Sequence, residues 1–215
     1  PNVDVATHPY IATGLHDTKF GLELDVARRL MERVIRSPYL ELHTIACHIG
    51  SQLPTAAPLE EAVALTTTFA KECVEAGAKL SGIDAGGGFP ITYGDEDVPH
   101  QAWTAFGAAV RAGIERAGAS KLGLEIVVEP GRSLVGDAGV LLTRVLHVKE
   151  QAGKRFVIVD AAMTELIRPA LYGAYHAIVP VRSRAGASTP CDVVGGVCET
   201  ADFFAHDLAL PPLRR

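Results

Sequence analysis

The sequence predicts an α/β fold: about four βα units, roughly half of a (β/α)8 barrel, followed by the start of a β domain. Three observations carry this. Short apolar runs alternate with helical stretches from about residue 20 to residue 130. The texture turns β-rich from about residue 137. Between these regimes, the apolar runs end in turns rich in glycine and proline.

The elements follow in order. Phe20-Gly21-Leu22 is expected to end a first strand, and residues 22–36 to form a helix. Residues 40–48 read as a strand. Residues 59–77 read as a helix, because Leu59, Val63, Thr66, Phe69, Ala70, Cys73 and Val74 recur at three-and-four spacing and Gly77 supplies a stop. Residues 80–85 form a strand ending in Gly86-Gly87-Gly88. Asp97 and Pro99 open the next helix, which runs to about Ala117, and residues 122–129 form another strand. Strands that alternate with helices of this length pair in parallel. Beyond them, residues 140–148, 155–160, 179–182 and 192–197 are expected strands of the β domain. No solenoid-period repeat and no low-complexity tract interrupts this order.

Composition narrows the functional classes. With 48% of 215 residues apolar, the chain has material for a sizeable core. A net charge of -5 and the lack of a Lys/Arg cluster argue against nucleic acid as a partner; Arg214-Arg215 is too short for a basic tail. No apolar run reaches the ~18 residues of a membrane span, and no secretory signal is visible. None of the four cysteines forms a C-x-x-C pair, which points away from zinc ribbons and thioredoxin motifs and towards free thiols in the cytoplasm. The chain starts without Met and stops just after Pro211-Pro212, so it is expected to be a piece of a longer protein.

Five segments carry candidate chemistry. Gly86, Gly87 and Gly88 follow a strand, and consecutive glycines let backbone N–H groups approach an anion; a plain strand-to-helix turn would use the same residues. Glu129-Pro130-Gly131-Arg132-Ser133 follows the next strand, at the end of a barrel where active sites lie. Two such loops on successive strands weigh against plain turns more than either loop does alone. His43 and His48 are five residues apart on a strand and face opposite sides, which argues against a shared metal; His48 at the strand end suits stacking on a flat cofactor or a structural role. Arg168, in Arg-Pro-Ala-Leu-Tyr within the β region, has the planar fork that grips a carboxylate, or is a surface residue before a turn. Cys198, in Cys-Glu-Thr-Ala-Asp, is a nucleophile, an acid or packing.

Taken together, these segments resemble the diaminopimelate decarboxylases, within the alanine-racemase-like class of pyridoxal-phosphate enzymes. The matching stretches are Lys19-Phe20-Gly21-Leu22, His48-Ile49-Gly50-Ser51-Gln52, Gly86-Gly87-Gly88-Phe89-Pro90-Ile91, Glu129-Pro130-Gly131-Arg132-Ser133, the run from Arg168 to His176, and Cys198-Glu199-Thr200. The resemblance implies that residues 1–136 are the C-terminal half of a pyridoxal-phosphate-binding barrel and residues 137–215 a partial β-sandwich or barrel domain. It implies that Gly86, Gly87, Gly88, Glu129, Pro130, Gly131 and Arg132 cradle pyridoxal 5'-phosphate, with Ser51 adding a hydroxyl and His48 stacking on the ring. Glu129 faces the pyridine nitrogen in this scheme and keeps it protonated. Arg132, Arg168, Tyr172 and Glu199 bind substrate, and Cys198 is the catalytic proton donor. The implied reaction converts meso-2,6-diaminopimelate to L-lysine and carbon dioxide, in a homodimer whose active sites take Cys198 and Glu199 from the partner subunit.

Two departures stand out. Thr200 replaces the serine of the family's Cys-Glu-Ser and keeps a hydroxyl. None of Lys19, Lys71, Lys79, Lys121, Lys149 and Lys154 lies in the Tyr-Ala-x-Lys type of motif that carries the family's Schiff-base lysine, and the C-terminal cofactor-binding tyrosine is also missing. The chain alone is therefore expected to be inactive. The alternatives are a decarboxylase of another basic amino acid, of arginine or ornithine type, and a non-catalytic regulatory homologue.

Overall fold

The structure is a computed structural model, and it describes residues 1–5, 13–14, 18–94, 102–182 and 185–214. The expected helix opening at Asp97 and Pro99 lies outside the described residues. The chain divides into two compact units, Pro1–Ile91 with Asp97–Ala138, and Thr92–Glu96 with Gly139–Arg215.

In the first unit α1 (Leu24–Arg36), α2 (Ala57–Glu75) and α3 (Ala102–Arg116) alternate with β1 (Thr44–Ala46), β2 (Gly82–Asp84) and β3 (Glu125–Val127). The strands lie side by side in chain order, all parallel, with Ile45 beside Ile83 and Ile83 beside Ile126. Pairing continues past the strand ends: Cys47 N–H donates to the Asp84 carbonyl at 3.0 Å, Ala85 N–H to Val127 at 2.9 Å, and Glu129 N–H to Gly86 at 2.8 Å. Parallel neighbours need crossover connections, and helices supply them. The arrangement is an arc of a (β/α)8 barrel.

Among the described residues this sheet has three strands, not four. Phe20-Gly21-Leu22 does not end a strand. Gly21 turns the chain at φ 73°, and Phe20 and Leu22 are exposed. The extended segment lies earlier, where Val3 and Val5 are buried in the same core as Cys47 and Ile49 while Asn2 and Asp4 face out. That alternation is too short to stand out in the sequence.

Helix α2 buries Leu59, Ala62, Val63, Thr66, Ala70 and Cys73, and Gly77 stops it at φ 97° with its N–H donating to the Val74 carbonyl at 2.9 Å. It packs closely on α3 at Gly113, where a Cβ would stand 2.7 Å from the Glu60 carbonyl oxygen and 3.0 Å from Val63. Lys71 Nζ caps the Ala117 carbonyl just past the end of α3 at 2.8 Å. Helix α1 buries no residue fully and is held to α2 by the Arg28 fork on Glu72, at 2.9 and 3.0 Å. The Arg28 guanidinium holds the Glu72 carboxyl below the usual carboxylate range.

After β3 the chain forms the short helix α4 (Arg132–Val135), still within the first unit. The second unit contains β4 (Val145–Gln151), β5 (Lys154–Val159), the short helix α5 (Arg168–Tyr172), β6 (Thr189–Val194) and β7 (Phe203–Leu210). Its sheet runs β4-β5-β6-β7, with β5 and β6 parallel and the outer pairs antiparallel. Ala152 and Gly153, both at positive φ (52° and 76°), close the β4–β5 hairpin, the backbone a type I′ turn requires. Val157, Val159, Cys191, Val193, Phe204 and Leu210 form the core of this unit.

Several expected strands differ. Residues 140–144 are not strand, and Val140 is 95% exposed. Residues 179–182 form no strand; Val179 and Val181 stand in solvent without a partner ladder. The run expected at 192–197 starts earlier and ends at Val194, where Gly195-Gly196 turn the chain. The Arg-Pro-Ala-Leu-Tyr run, expected in β texture, is helical. Pro169 sits in its first turn and Gly173 ends it at φ 60°.

Asp192 faces away from Cys191 and Val193 across the pleat, yet its side chain is only 3% exposed. Its carboxylate takes Lys154 Nζ at 2.8 Å, His206 Nδ1 at 2.7 Å and the Asp207 N–H at 3.1 Å. Burial acts to raise this carboxyl, but the Lys154 ammonium, the Asp207 amide and His206 outweigh it and hold the group below the usual range. A carboxyl depressed below its unfolded value of about 3.9 contributes stability that is present above that value and lost as pH falls through the folded value. Asp192→Asn is therefore expected to cost about 1–3 kcal/mol at neutral pH. The deficit should shrink below about pH 4, as the wild-type carboxyl also protonates. Urea unfolding of both proteins across pH checks this; a deficit that does not change with pH would contradict it.

Candidate active site

Parallel strands place their carboxyl ends on one rim, and three loops of the first unit rise from it. They carry His48 and Ser51 after β1, Gly86, Gly87 and Gly88 after β2, and Glu129, Pro130, Gly131 and Arg132 after β3. The structure thus brings together every sequence-predicted residue of the cofactor set.

The middle loop explains why it consists of glycines. Asp84 Oδ1 accepts the Gly86 N–H at 2.8 Å and bends the chain as β2 ends. A Cβ on Gly86 would run into the Cys47 carbonyl oxygen, one on Gly87 into that of Glu129, and one on Gly88 into that of Gly50. The loop is pressed between the turns that follow β1 and β3, so only bare backbone fits. Phe89 then anchors it below, stacked on Trp103 at 4.8 Å and tilted against Phe106 at 5.1 Å, both on α3.

Hydrogen bonds tie the β1 and β2 loops together. Gly87 N–H donates to His48 Nδ1 at 3.3 Å, which leaves Nε2 to carry the proton of a neutral ring. The His48 side chain remains exposed above the loop. Leu53 N–H donates to the Gly88 carbonyl at 2.9 Å. Gln52 Nε2 donates to the Ile91 carbonyl and its Oε1 accepts the Ile91 N–H, both at 2.8 Å. Sequence reasoning gave Gln52 no role. Its backbone sits at φ 55°, a left-handed conformation costly for a residue other than glycine, and the two-pronged amide bond offsets that cost. In the third loop Ser133 Oγ donates to the Pro130 carbonyl at 2.7 Å and fixes the turn from which Arg132 starts α4.

The remaining candidates lie in the second unit. The Arg168 guanidinium carbon sits 5.4 Å from the Tyr93 ring centre and 5.3 Å from that of Tyr172. His176 meets the Tyr93 ring edge-on at 5.4 Å. Aromatic faces hold a guanidinium by cation–π attraction. The Arg168 Nε is buried without a hydrogen-bond partner among the described residues, so its planar fork keeps donor capacity for a carboxylate. Tyr93 was not singled out by the sequence. Cys198 and Glu199 lie on the loop between β6 and β7, and Glu199 Oε1 accepts the Ala201 N–H at 3.2 Å. Cys198 is exposed, whereas Cys47, Cys73 and Cys191 are buried. Burial pushes all three buried thiols up, Cys73 to about 11 with help from neighbouring Glu72. Among the described residues no group of three His, Cys, Asp or Glu side chains is placed to hold a metal, and no helix is long and apolar enough to cross a membrane.

No lysine stands on the rim loops. Lys79 and Lys121 precede β2 and β3 at their amino ends, Lys71 is on α2, Lys149 and Lys154 are in the second unit, and Lys19 lies against Phe20.

A rim of glycine loops beside a histidine and a Glu-Pro-Gly-Arg turn, at the carboxyl ends of barrel strands, is suited to the class of proteins that bind a phosphate-bearing cofactor. The sequence profile described as pyridoxal-dependent decarboxylase, pyridoxal binding domain, matches residues 1–136, and the chain belongs to that family. The diaminopimelate decarboxylase of Vibrio cholerae is 42% identical over 207 residues, which cover 96% of this chain and 48% of that protein. That of Neisseria meningitidis serogroup A is 44% identical, covering 96% and 49%. The crystal structure of diaminopimelate decarboxylase from Helicobacter pylori complexed with L-lysine superposes with a TM-score of 0.86 at 39% identity, covering 99% of this chain and 51% of that one. The chain spans about half the length of the curated relatives it matches. The cofactor is pyridoxal 5'-phosphate, and the rim fits it: Gly86, Gly87 and Gly88 are bare backbone because the flanking loops leave no room for a Cβ, and the adjoining loops carry an arginine and a hydroxyl.

Gln52→Ala removes both ties to Ile91. Amide exchange in residues 86–91 is expected to rise about tenfold, the factor that matches loss of roughly one net hydrogen bond. Gly87→Ala should destabilise the first unit by about 1–3 kcal/mol, because its Cβ forces adjacent loops apart. Hydrogen exchange and urea unfolding read the two effects; a Gly87→Ala protein as stable as the parent would remove the steric argument.

Proposed function

We propose that this chain is part of a diaminopimelate decarboxylase, which converts meso-2,6-diaminopimelate to L-lysine and carbon dioxide in the cytoplasm. The observation that supports it most is identity of 42–44% to such enzymes across 96% of the chain, through both units and not the cofactor unit alone. Residues 1–136 are the C-terminal half of the cofactor-binding barrel in this reading, and residues 137–215 part of a β-sandwich or barrel domain.

The rim residues hold the cofactor. Gly86, Gly87 and Gly88 with Pro130, Gly131, Arg132 and Ser51 would receive the phosphate; His48 would cover the ring; the Glu129 carboxylate would face the pyridine nitrogen and keep it protonated. When bound, pyridoxal 5'-phosphate supplies an electron sink for the electron pair released as the substrate carboxylate departs. Arg132, Arg168 and Tyr172 grip the distal end of the diamino acid. Glu199 reads its distal amino group, and Cys198 returns a proton to the carbon that lost the carboxylate. Cys198 and Glu199 serve the site of a partner subunit, which makes the active form a homodimer. The lysine that binds the cofactor covalently belongs to the part of the relatives that this chain does not span.

Assay of the full-length protein tests the substrate. Diaminopimelate should be turned over in preference to lysine, ornithine and arginine, which lack the distal carboxylate; preference for one of those three would overturn the reading. Arg168→Lys is expected to raise KM for diaminopimelate while cofactor content stays unchanged, because an ammonium cannot reproduce the two-pronged grip. Cys198→Ala should keep the cofactor and lose a factor on the order of 10²–10⁴ in turnover. A Cys198→Ala subunit mixed with a lysine-null subunit should regain activity in the heterodimer; heterodimers that form and stay inactive would contradict donation across the interface. The 215-residue chain, incubated with pyridoxal phosphate and reduced with borohydride, should show no stoichiometrically labelled lysine by mass spectrometry, since none of its lysines stands on the rim.

A further inference from the structure

We infer that Asp202 is a positioning residue that fixes the loop carrying Cys198 and Glu199; its catalytic consequence rests on the roles proposed for those two residues. Asp202 stands at the β7 end of that loop and is 3% exposed. Its Oδ2 accepts the N–H of Val197, immediately before Cys198, at 2.7 Å. Its Oδ1 accepts the Met163 N–H at 2.6 Å, from the segment between β5 and α5. The backbone closes the same turn: Gly195 N–H donates to the Asp202 carbonyl and Asp202 N–H to the Glu199 carbonyl, each at 3.0 Å. Gly195 leaves no space, since a Cβ there would strike the carboxylate itself. The loop leaves β6 over this carboxylate, turns around it through Cys198 and Glu199, and returns into β7.

The chemistry of the match is specific. An ionised carboxylate only accepts, and both groups aimed at it are N–H donors, so each bond is charge-assisted. Burying a carboxylate merely to fill space is costly, and an apolar residue would pack the same volume without that cost. What the carboxylate adds is a fixed distance between Val197 and Met163, and thus a fixed place for the thiol one residue further on. Asp202→Asn breaks this arrangement at constant size: the amide NH2 must face one of the two backbone N–H groups, and one donor loses its acceptor.

The test uses the full-length protein with Asp202→Asn, Cys198→Ala and the double variant. Asp202→Asn is expected to lower kcat about tenfold, the factor for roughly one lost hydrogen bond, with cofactor content unchanged. On the Cys198→Ala background the same substitution should change kcat by less than about twofold, because residues that act as one unit are not additive. Amide exchange at Val197 should quicken in Asp202→Asn. Gly195→Ala, which displaces the carboxylate from the other side, should reproduce both effects and takes the place of Asp202→Asn if that variant does not fold. An equal loss of kcat in both backgrounds overturns the inference, as does unchanged exchange at Val197. A Cys198→Ala protein with full turnover removes the proposed role of Cys198 instead, and the exchange measurement still decides whether Asp202 holds the loop.

Discussion

Gly86 and Gly87 lie where β2 leaves the sheet, between the carbonyl oxygens of Cys47 on one side and Glu129 on the other. Neighbouring strands of a parallel sheet stand about 4.8 Å apart, and at that spacing a turn that stays in the plane of the sheet has no room for Cβ atoms. The rest of the rim depends on this. Because the middle loop is low and bare, the His48 ring can lie over it, and Gly87 can hold the ring by its Nδ1. Because the loop continues into Phe89, its depth is set by the stack on Trp103 and Phe106. Gln52 completes the frame by fastening Ile91, so the cradle is fixed at both ends by groups that do not enter it.

The second unit uses buried carboxylates in the way the first uses glycines. Asp192 crosslinks β5, β6 and β7 through Lys154, His206 and the Asp207 amide, on the face of the sheet away from the core. Among the described residues Asp202 accepts backbone N–H groups and so fixes a loop instead of a sheet. One pairing sets the rigidity of the platform and the other the shape of what stands on it. The aromatic cage about Arg168 is a third device, in which Tyr93 and Tyr172 orient a cation while leaving its edge able to donate.

The legible parts of the fold were those whose signals are local. The apolar face of α2 and its Gly77 stop were plain, and the alternation of strands and helices gave the parallel sheet. The loops that gather on the rim were legible for the same reason, since glycine runs and Pro-Gly turns mark strand ends. Strand β7 was hidden because His206 and Asp207 break its apolar pattern, and what absorbs them is Asp192, distant in sequence. The helix α5 was missed although Pro169 and Gly173 are fair start and stop signals, because its neighbours read as β. Gln52 and Asp202 stand within legible motifs but without a legible role, because each binds a backbone group 39 residues away, which no periodicity reports.

The distribution of sulfur has a practical consequence. Three of the four thiols are enclosed and held protonated by their surroundings, and the fourth, Cys198, stands open on the β6–β7 loop. Since thiolate and access together govern sulfur reactivity, an oxidant or a maleimide reaches a single atom of the folded chain. A dye attached there would report on that loop alone, and a ratio of one dye per chain would mark a folded sample, because unfolding exposes the other three sulfurs and raises the ratio.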